Sequence, residues 1–593
     1  MKKISLVLSP IILLTLAGCQ VIFPETSKSE TISSNEVSST SSSEEETTTS
    51  SESILSSEEK SSEESSESSE ESSSSEVKTS EEESSVSSSS AKSSEEVSSE
   101  SSEVQSSSSS ESSEEEAEHP VIIDSEDYLE FWNSSTSLSI NITMSQEAAE
   151  FINTYQSNHG DSTYHDYYVP CTVTFIINGK FETMEEVGIR EKGNLSRSQM
   201  LEDGNFSLNT LAHYKLSFKE TFDDIEYTTI PALQAFKKTW IDSAKKKERK
   251  NRRLFDMEKI DIKWNRNYDE TKSKQAYAYK LFRDQGVMAP HDTLANVTLG
   301  INGKSSIKTT YEVIECIDSV FVKRHFSEDK ADGDLYKCTY SSSPANLSPS
   351  YTVGNQIGVE DNTTNYHPSY DLKTNKKKNT THTNLLHFIE VTNDTTSSAA
   401  VFKAKLETVL DVSSFMMFEA VSYLLGNFDD MRNNANNYYL YFESGTNIAH
   451  FIPYDFDRCL GTGCDGGNNH YNDYMTNFSP ESTKMQCPGS WQTINLYWRT
   501  ICSSSDSNSG HNNVERVEEY RALYQKNIED IINTTRLSNK SFNDFVNSFP
   551  SSYRGNPNGT GGDNITFASY LEKKIAAIKN CNDQGLINYD IKV

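Results

Sequence analysis

Residues 426–441 read GNFDDMRNNANNYYLY, and residues 451–461 read FIPYDFDRCLG. The first stretch is an acidic, asparagine-rich loop that leads into an aromatic run, and the second is an apolar run that ends in Asp-Phe-Asp. Because a hydrophilic turn at 443–445 separates them, they are predicted to form the two strands of one hairpin. The hairpin would bring four acids to the same end: Asp429, Asp430, Asp455 and Asp457. Carboxylate and amide oxygens converging there are suitable ligands for a hard cation such as Mg²⁺ or Mn²⁺.

Residues 1–19 have the organisation of a signal peptide. Two lysines precede an apolar stretch over 4–16, and the segment ends in Leu-Ala-Gly-Cys19. A Cys directly after Leu-Ala-Gly resembles a bacterial lipobox, which implies diacylglycerol on Cys19 and a mature protein anchored outside the cell membrane. Since no other segment has the ~18 consecutive apolar residues of a membrane span, the anchor is expected to be lipid alone.

Residues 20–118 are predicted to be a disordered linker. Between 25 and 118 the chain is almost entirely Ser, Glu and Thr, with 27 Glu, four Lys and no aromatic residue. Such a segment buries too little apolar surface to offset the entropy cost of ordering. Most of the net charge of −34 lies in it, so it is expected to be a self-repelling spacer of up to roughly 300 Å. Its many Ser-x-Glu triplets are also candidate phosphate or glycan acceptors.

Residues 119–593 are predicted to form an α+β region, either one complex domain or two lobes. The one basic run, at 245–253, is interpreted as a solvated face, so no nucleic-acid partner is expected. Helices are predicted over 145–155, 271–284, 412–425, 513–532 and 567–581, and strands over 169–177, 185–190, 214–218, 294–301 and 309–315. The last two helices form a C-terminal extension.

Eight cysteines follow Cys19, an even number that permits disulfides in an exported protein. A bridge between Cys459 and Cys464 would stiffen the loop that follows Asp-Phe-Asp. The spacing lacks the paired CxxC pattern that is typical of zinc sites.

Four further motifs accompany the acidic hairpin. Residues 188–196 read GIREKGNLS, residues 214–218 YKLSF, residues 311–318 YEVIECID and residues 335–337 LYK. Together with the hairpin they resemble the CotH family of atypical protein kinases, and the similarity extends over most of 140–480. The resemblance implies a divergent protein-kinase-like α+β fold, and ATP-dependent phosphorylation of protein Ser residues with a divalent metal.

The resemblance also assigns roles in the two acidic loops. Asp429 would accept the proton of the Ser hydroxyl, with Asp430 as the alternative. Asn434 has the spacing of a metal-holding Asn in a kinase catalytic loop, with Asn437 as the alternative. Asp455 would hold the metal, and the remaining acid of the second loop, Asp457, is either a second ligand or a structural cap.

Nucleotide contacts are implied for Lys215, with Lys192 and Arg190 as alternatives. One position departs from the family pattern, which often has Arg-Glu in the predicted helix where this chain has Lys274 and Gln275. If that Glu normally pairs with the phosphate-binding lysine, another acid must substitute or activity is reduced. The acids considered for this role are Glu270 and Glu315.

Three functions follow from the sequence. The favoured one is a lipid-anchored kinase that transfers the γ-phosphoryl group of ATP to Ser residues of surface proteins, with its own linker as a further candidate acceptor. The main alternative is a non-catalytic surface module for adhesion, scaffolding or ligand binding. The third candidate function, with less support, is a metal-dependent glycosyltransferase, because Asp455-Phe-Asp457 is formally a D-x-D motif.

Overall fold

A computed structural model describes residues 119–341, 343–394, 396–432, 435–462, 480, 517–560, 565–583 and 588–593. The signal peptide, Cys19, the linker, Asn434 and Cys464 lie outside these residues. The helices are α1 Glu126–Trp132, α2 Gln146–Tyr155, α3 Glu226–Thr229, α4 Ser243–Lys250, α5 Lys274–Asp284, α6 Ser319–His325, α7 Thr383–Thr392, α8 Ala399–Leu406, α9 Val412–Leu425, α10 Glu518–Asn533, α11 Asn539–Ser548 and α12 Phe567–Asp583. Short 3₁₀ helices cover Pro231–Phe236 and Asn362–Thr364.

The strands follow the same chain order. They are β1 Leu138–Met144, β2 Val169–Ile177, β3 Lys180–Glu191, β4 Leu201–Glu202, β5 Asn205–Phe206, β6 Tyr214–Ser217, β7 Lys259–Lys263, β8 Asp292–Ile301, β9 Ile307–Glu315, β10 Asp334–Cys338, β11 Ile357–Gly358, β12 Tyr370–Leu372, β13 Tyr438–Phe442 and β14 Ala449–Pro453. This mixture of helices and sheets confirms the predicted α+β class.

Seven strands close into a barrel in the order β1-β2-β3-β6-β7-β9-β8. The barrel closes where β1 pairs in parallel with β8, and its other pairs are antiparallel. The hairpin of β2 and β3 turns at Asn178 and Gly179, both with positive φ, as the sequence predicts for an Asn-Gly turn. Alternate residues of β2 are buried, so one face of the strand fills the barrel core.

The second sheet has the strand order β11-β12-β10-β13-β14. Strands β13 and β14 form the predicted hairpin, with Tyr438 opposite Pro453 at its open end. Helix α9 spans the predicted residues and packs beside it, with Phe415 and Phe418 against Phe451. The open end therefore carries both acidic loops, as the sequence predicts.

Helix α5 begins at Lys274, three residues later than predicted. The Asp269 carboxylate accepts hydrogen bonds from the N–H groups of Thr271, Ser273 and Lys274, and Lys272 has a φ of 56°. These bonds hold 271–273 in a turn, so the helix starts where the turn ends. Cys459, just beyond the second acidic loop, is buried with its Sγ 3.6 Å from the Lys274 carbonyl oxygen.

Tyr553, in the C-terminal part of the chain, forms hydrogen bonds at the start of the first barrel strand. The Tyr553 hydroxyl donates to the Thr136 carbonyl at 2.8 Å and accepts from the Leu138 N–H at 3.1 Å. Phe549 and Tyr553 pack there against Leu294 of β8. None of the described helices is long and apolar enough to cross a membrane.

Candidate active site

The two acidic loops are joined by the side chain of Asn427. Its Oδ1 accepts the Asp429 N–H at 3.1 Å, and its Nδ2 donates to the Asp455 carbonyl oxygen at 3.2 Å. Helix α9 ends at Gly426 in the left-handed conformation, which turns the chain into the first loop. The Asn427 amide thus fixes the two loops relative to each other at the open end of the hairpin.

Two asparagines hold the Asp429 carboxylate. Asn436 Nδ2 donates to its Oδ1 and Asn437 Nδ2 to its Oδ2, each at 3.1 Å. Asn437 also donates to the Asp429 carbonyl oxygen at 2.7 Å. Both carboxylate oxygens therefore have a fixed direction.

Asp430 lies in a different environment from its neighbour. Its side chain is 1% exposed, and its charge acts on Glu419 of α9 and Lys574 of α12. The two candidate proton acceptors thus have different surroundings in the structure. Asp429 belongs to the loop junction, and Asp430 belongs to the helices beneath it.

Asp455 and Asp457 share one cation, the ammonium group of Lys263 at the end of β7. Lys263 Nζ donates to Asp455 and lies 2.8 Å from Asp457 Oδ2. Burial would lower the pKa of Lys263, but the two carboxylates raise it above its ordinary value. Withdrawal from water would raise the pKa of Asp455, but Lys263 and then Lys192 lower it below its usual range.

The backbone at Asp455 is fixed as firmly as its side chain. Its φ is 56°, in the left-handed region that Asp adopts more readily than most residues. Its N–H donates to the Tyr279 hydroxyl of α5 at 2.8 Å. Helix α5 therefore sets the position of the second acidic loop.

The oxygen ligands at the junction fit a hard divalent cation. Asp455 and Asp457 supply carboxylates, and Asn436 Oδ1 is buried without a hydrogen bond from the described residues. Mg²⁺ is commonly held by one or two carboxylates together with substrate phosphates. Among the described residues, no three His, Cys, Asp or Glu side chains form a metal-binding group of their own.

A second charged cluster lies on the neighbouring strands of the barrel. Asp261 of β7 accepts from Lys192 at 2.7 Å and lies 3.1 Å from Lys215 Nζ, which also contacts Cys316 Sγ at 3.4 Å. Burial opposes the charge on each lysine, but Asp261 raises the pKa of both. The structure thus brings Lys192 and Lys215 together on an acid that the sequence analysis did not single out.

Arg190 lies at the edge of this cluster. Its guanidinium donates to the His165 carbonyl oxygen at 2.7 Å, lies 3.6 Å from Asp166 and stacks on the Tyr168 ring. These contacts tie it to the loop before β2. Its Nε is buried and donates no hydrogen bond to the described residues.

The structure does not bring Glu315 or Glu270 to Lys215. Glu315 accepts from the Tyr128 hydroxyl at 2.7 Å and lies 3.7 Å from Arg324 Nε, and burial raises its pKa to about 7. Glu270 is exposed. The acid beside Lys215 is instead Asp261, at 3.1 Å.

Gln275 connects Lys263 to a buried acid pair. Its Oε1 accepts from Lys263 Nζ at 3.3 Å, while its Nε2 donates to Glu312 at 2.9 Å and to Asp292 at 3.3 Å. A Glu could accept from Lys263 but could not donate to the two acids. Gln275 therefore fits between Lys263 and the two acids better than the Glu of the family pattern would.

We expect Gln275→Glu to lower the free energy of unfolding by about 2 kcal/mol at pH 8, because two donated hydrogen bonds become carboxylate repulsions. The loss should be smaller at pH 5.5, where a protonated carboxyl donates again. Urea unfolding at both pH values measures this, with Gln234→Glu at an exposed position as the control. A variant as stable as wild type at pH 8 would contradict the connecting role.

A second prediction concerns Asp292, whose pKa burial raises to about 8. The folded chain then keeps a proton that the unfolded chain, with a pKa of about 3.9, releases. The contribution of Asp292 to wild-type stability should therefore fall as pH rises from about 4 to about 8. Asp292→Asn removes this loss, so its melting temperature relative to wild type should increase across that range. A difference that stays constant with pH would refute the prediction.

Lys263 and Asp261 alternate with buried isoleucines in the β7 sequence KIDIK. Ile260 and Ile262 are fully buried in the barrel core, and the charged residues line the opposite face. The alternation was visible in the sequence, but it is typical of a strand with one solvated face. Only the fold shows that this face is buried too.

The candidate site thus brings together an oriented Asp, two further acids and a strand lysine on an α+β fold. A family model described as CotH kinase protein matches residues 234–554, just over half of the chain. The chain therefore belongs to the CotH kinase family. The match includes both acidic loops and Lys263, but it begins after Lys215 and ends before α12. A search of curated proteins gave no match.

Proposed function

We propose that this protein is a lipid-anchored, extracytoplasmic protein kinase that transfers the γ-phosphoryl group of ATP to Ser hydroxyls. The observation that carries the proposal is the junction in which Asn427 joins Asp429 to the backbone of Asp455. Family membership supports kinase chemistry in general. The lipobox at Cys19 and the Ser-rich linker support the location and the acceptor residue.

Asp429 is the proposed proton acceptor. Its carboxylate would orient the Ser hydroxyl and take its proton as the Ser oxygen bonds to the γ-phosphorus and the bond to the β,γ-bridging oxygen breaks. ADP carries away the electron pair of that bond. The amide donors of Asn436 and Asn437 keep the carboxylate turned to one direction throughout.

Lys263 is the proposed phosphate-binding lysine, in preference to Lys215. It lies at the end of a strand, contacts a side chain of the helix that follows, and is beside Asp455. Protein kinases use a strand lysine held by a helix side chain in this way. This arrangement also supports a divergent kinase-like fold. Lys192 and Lys215, held by Asp261, would add positive charge to the same region.

Asp455, Asp457 and the asparagine oxygens of the first loop would hold Mg²⁺ or Mn²⁺. The cation would neutralise charge on the phosphates when bound. In the chain as it stands, Lys263 balances the two acids, so these carboxylates are already fixed in place before a ligand arrives.

The proposed acceptors are Ser-rich surface proteins and the linker of the same chain. The linker is covalently attached and dense in Ser-x-Glu, so its Ser residues are present at high effective concentration. A synthetic peptide copied from residues 61–75, SSEESSESSEESSSS, represents this class in trans.

The test incubates the full chain with γ-labelled ATP and either Mg²⁺ or Mn²⁺, alone and with the peptide. Label should appear on the linker or the peptide with wild type, and should be lost with Asp455→Ala. Asp544→Ala, an exposed acid on α11, is the matched control and should behave as wild type. No label from wild type, with either metal, overturns the proposal.

One observation favours a second candidate, a non-catalytic module with a kinase-like fold. The acids of the second loop already share a cationic partner, Lys263, which offsets part of their charge in the absence of a metal. A melting temperature that ATP leaves unchanged with either metal would support the module. A shift that depends on both ATP and metal would support the kinase.

A further inference from the structure

A strongly basic segment lies between the first 3₁₀ helix and β7. Residues 237–253 read KKTWIDSAKKKERKNRR, with nine Lys or Arg and two acids, in a chain whose net charge is −34. Helix α4 lies within this segment and has no buried residue. A helix that is polar all round is not held by packing of an apolar face, so the core of the protein does not explain this segment. The proposed reaction uses none of its residues.

Ion pairs and hydrogen bonds hold the segment on the barrel. Arg249 lies 2.5 Å from the carboxylate of Glu186 in β3, and Arg252 donates to the Glu186 carbonyl oxygen at 2.9 Å. The Trp240 indole donates to the Thr221 carbonyl oxygen at 2.9 Å, and the Arg249 guanidinium lies 5.5 Å from the centroid of its ring. The segment therefore has a fixed position on the protein surface.

Four lysines of the segment are exposed and form no ion pair with the residues that the structure describes: Lys237, Lys245, Lys247 and Lys250. Four of the five other cations pair with acids outside the segment: Glu186, Asp223 and Glu258. The acids within the segment are Asp242, which caps α4, and Glu248. The four exposed lysines therefore form a surface of net positive charge, which we call the α4 surface.

The α4 surface is anchored beside two strands that carry lysines of the candidate active site. Arg253 pairs with Glu258, the residue before β7, at 2.6 Å, and Lys263 ends the same strand. The segment also bonds to the carbonyl oxygen of Phe218, the residue after β6, three positions from Lys215. At about 3.3 Å per residue, these anchors lie roughly 10–16 Å from the two lysines. An extended peptide covers that distance with about five residues.

We propose that the α4 surface is a docking site for acidic, Ser- and Glu-rich acceptor segments. The observation behind it is charge complementarity: the exposed lysines match the Glu side chains of such sequences, and residues 25–118 contain 27 Glu and four Lys. Glu carboxylates bind the lysines, while a Ser about five or more residues away enters the active site. The inference rests on the proposed kinase function and deepens it, because it names the surface that selects the acceptor.

Charge removal on the surface tests the inference in the full chain, with the peptide of residues 61–75 as acceptor. The variant Lys245→Gln/Lys247→Gln/Lys250→Gln should raise KM for the peptide about tenfold, because each exposed ion pair changes an affinity only a few-fold. Its kcat at saturating peptide should be close to that of wild type. The variant should fold normally, since α4 has no buried residue. The peptide is used in excess over the protein, because the linker belongs to the same class of acceptor.

The matched control removes three exposed lysines elsewhere on the surface, each replaced by Gln: Lys308, Lys323 and Lys573. It changes the net charge equally and should leave KM for the peptide as in wild type. A KM within about twofold of wild type in the α4 variant, or an equal rise in the control, overturns the inference.

A neutral peptide, SSQQSSQSSQQSSSS, tests the same contact from the acceptor side. Wild type should use it with a KM about tenfold higher than that of the Glu peptide, and about 0.5 M salt should remove most of the difference by screening exposed charges. The α4 variant should use both peptides equally, because the charges that distinguish them have lost their partners. Equal use of both peptides by wild type overturns the inference, even if the variant does not fold.

Cross-linking provides a readout that does not need phosphoryl transfer. A carbodiimide takes up water as it joins a Glu carboxylate to a Lys amine in direct contact, and mass spectrometry identifies the lysines in the resulting amides. Links from the Glu peptide to Lys245, Lys247 or Lys250 should form without ATP, and their absence overturns the inference. If wild type forms the links but transfers no phosphate, the proposed function is overturned instead, and the α4 surface stands as a binding site for acidic segments.

An anionic membrane is the competing occupant, because Ile241 beside α4 is 100% exposed and basic segments with apolar side chains bind such membranes. Sedimentation with phosphatidylglycerol vesicles, with and without the Glu peptide, separates the two occupants. Absence of vesicle binding, or its loss when the Glu peptide is added, supports the acceptor. Vesicle binding that depends on the three lysines and that the peptide leaves unchanged overturns the inference.

Discussion

Replacing Asp429 by Asn should reduce phosphoryl transfer by about 10³-fold while leaving the fold intact. A positioned general base contributes roughly 10²–10⁴-fold, and an amide cannot take the Ser proton. Asn is nearly isosteric, so it can still meet Asn436 and Asn437 after one amide flips. Initial rates with labelled ATP measure the loss, and circular dichroism and thermal unfolding report the fold.

The matched control for this substitution is Asp544→Asn on the exposed face of α11. It makes the same chemical change far from the loop junction and should leave the rate as in wild type. Binding of ATP and metal should persist in Asp429→Asn, because the proposed metal and phosphate ligands are elsewhere. A rate within about threefold of wild type would remove Asp429 from the proposed mechanism.

Lys263→Met should lower the free energy of unfolding by about 2 kcal/mol in the absence of divalent metal. Removing one partner of a buried ion pair typically costs 3–5 kcal/mol, but the Asp455 side chain is 39% exposed and water screens part of that loss. Two neighbouring carboxylates remain without their cation. Urea unfolding in a chelator measures the difference from wild type.

Divalent metal should reverse part of this loss. Mg²⁺ or Mn²⁺ takes the place of the missing positive charge between Asp455 and Asp457, so it should raise the melting temperature of Lys263→Met more than that of wild type. Phosphoryl transfer should remain low, because the phosphate-binding cation is gone. Lys280→Met, which breaks an exposed pair with Asp284, should cost only about 0.3 kcal/mol and show no metal effect. An equal metal effect in wild type and Lys263→Met would contradict the assignment.

Local patterns predicted the elements that carry the acidic loops. Helix α9 has a largely apolar sequence with Gly426 as its stop, and the hairpin of β13 and β14 has two apolar runs around a polar turn. Both signals are confined to a few neighbouring residues, so they can be recognised without knowledge of the fold. The hairpin then placed the two loops at one end by geometry alone.

Partners across the barrel were beyond the reach of such patterns. Asp261 of β7 contacts Lys215 of β6 and Lys192, the residue that follows β3. The register of these three strands sets both contacts. Lys263 reaches Asp455 across 192 positions of the chain. The sequence also left Asp429 and Asp430 as alternatives, because only the folded loop shows that Asn436 and Asn437 hold the Asp429 carboxylate while Asp430 is buried.

The bond between Tyr553 and the start of β1 has a consequence for the order of folding. A ribosome releases β1 early and Tyr553 more than 400 residues later. Strand β1 must also wait for β8 before the barrel closes. The edge of β1 therefore stays open until β8 has been made, near the middle of the chain, and during that interval it can pair wrongly.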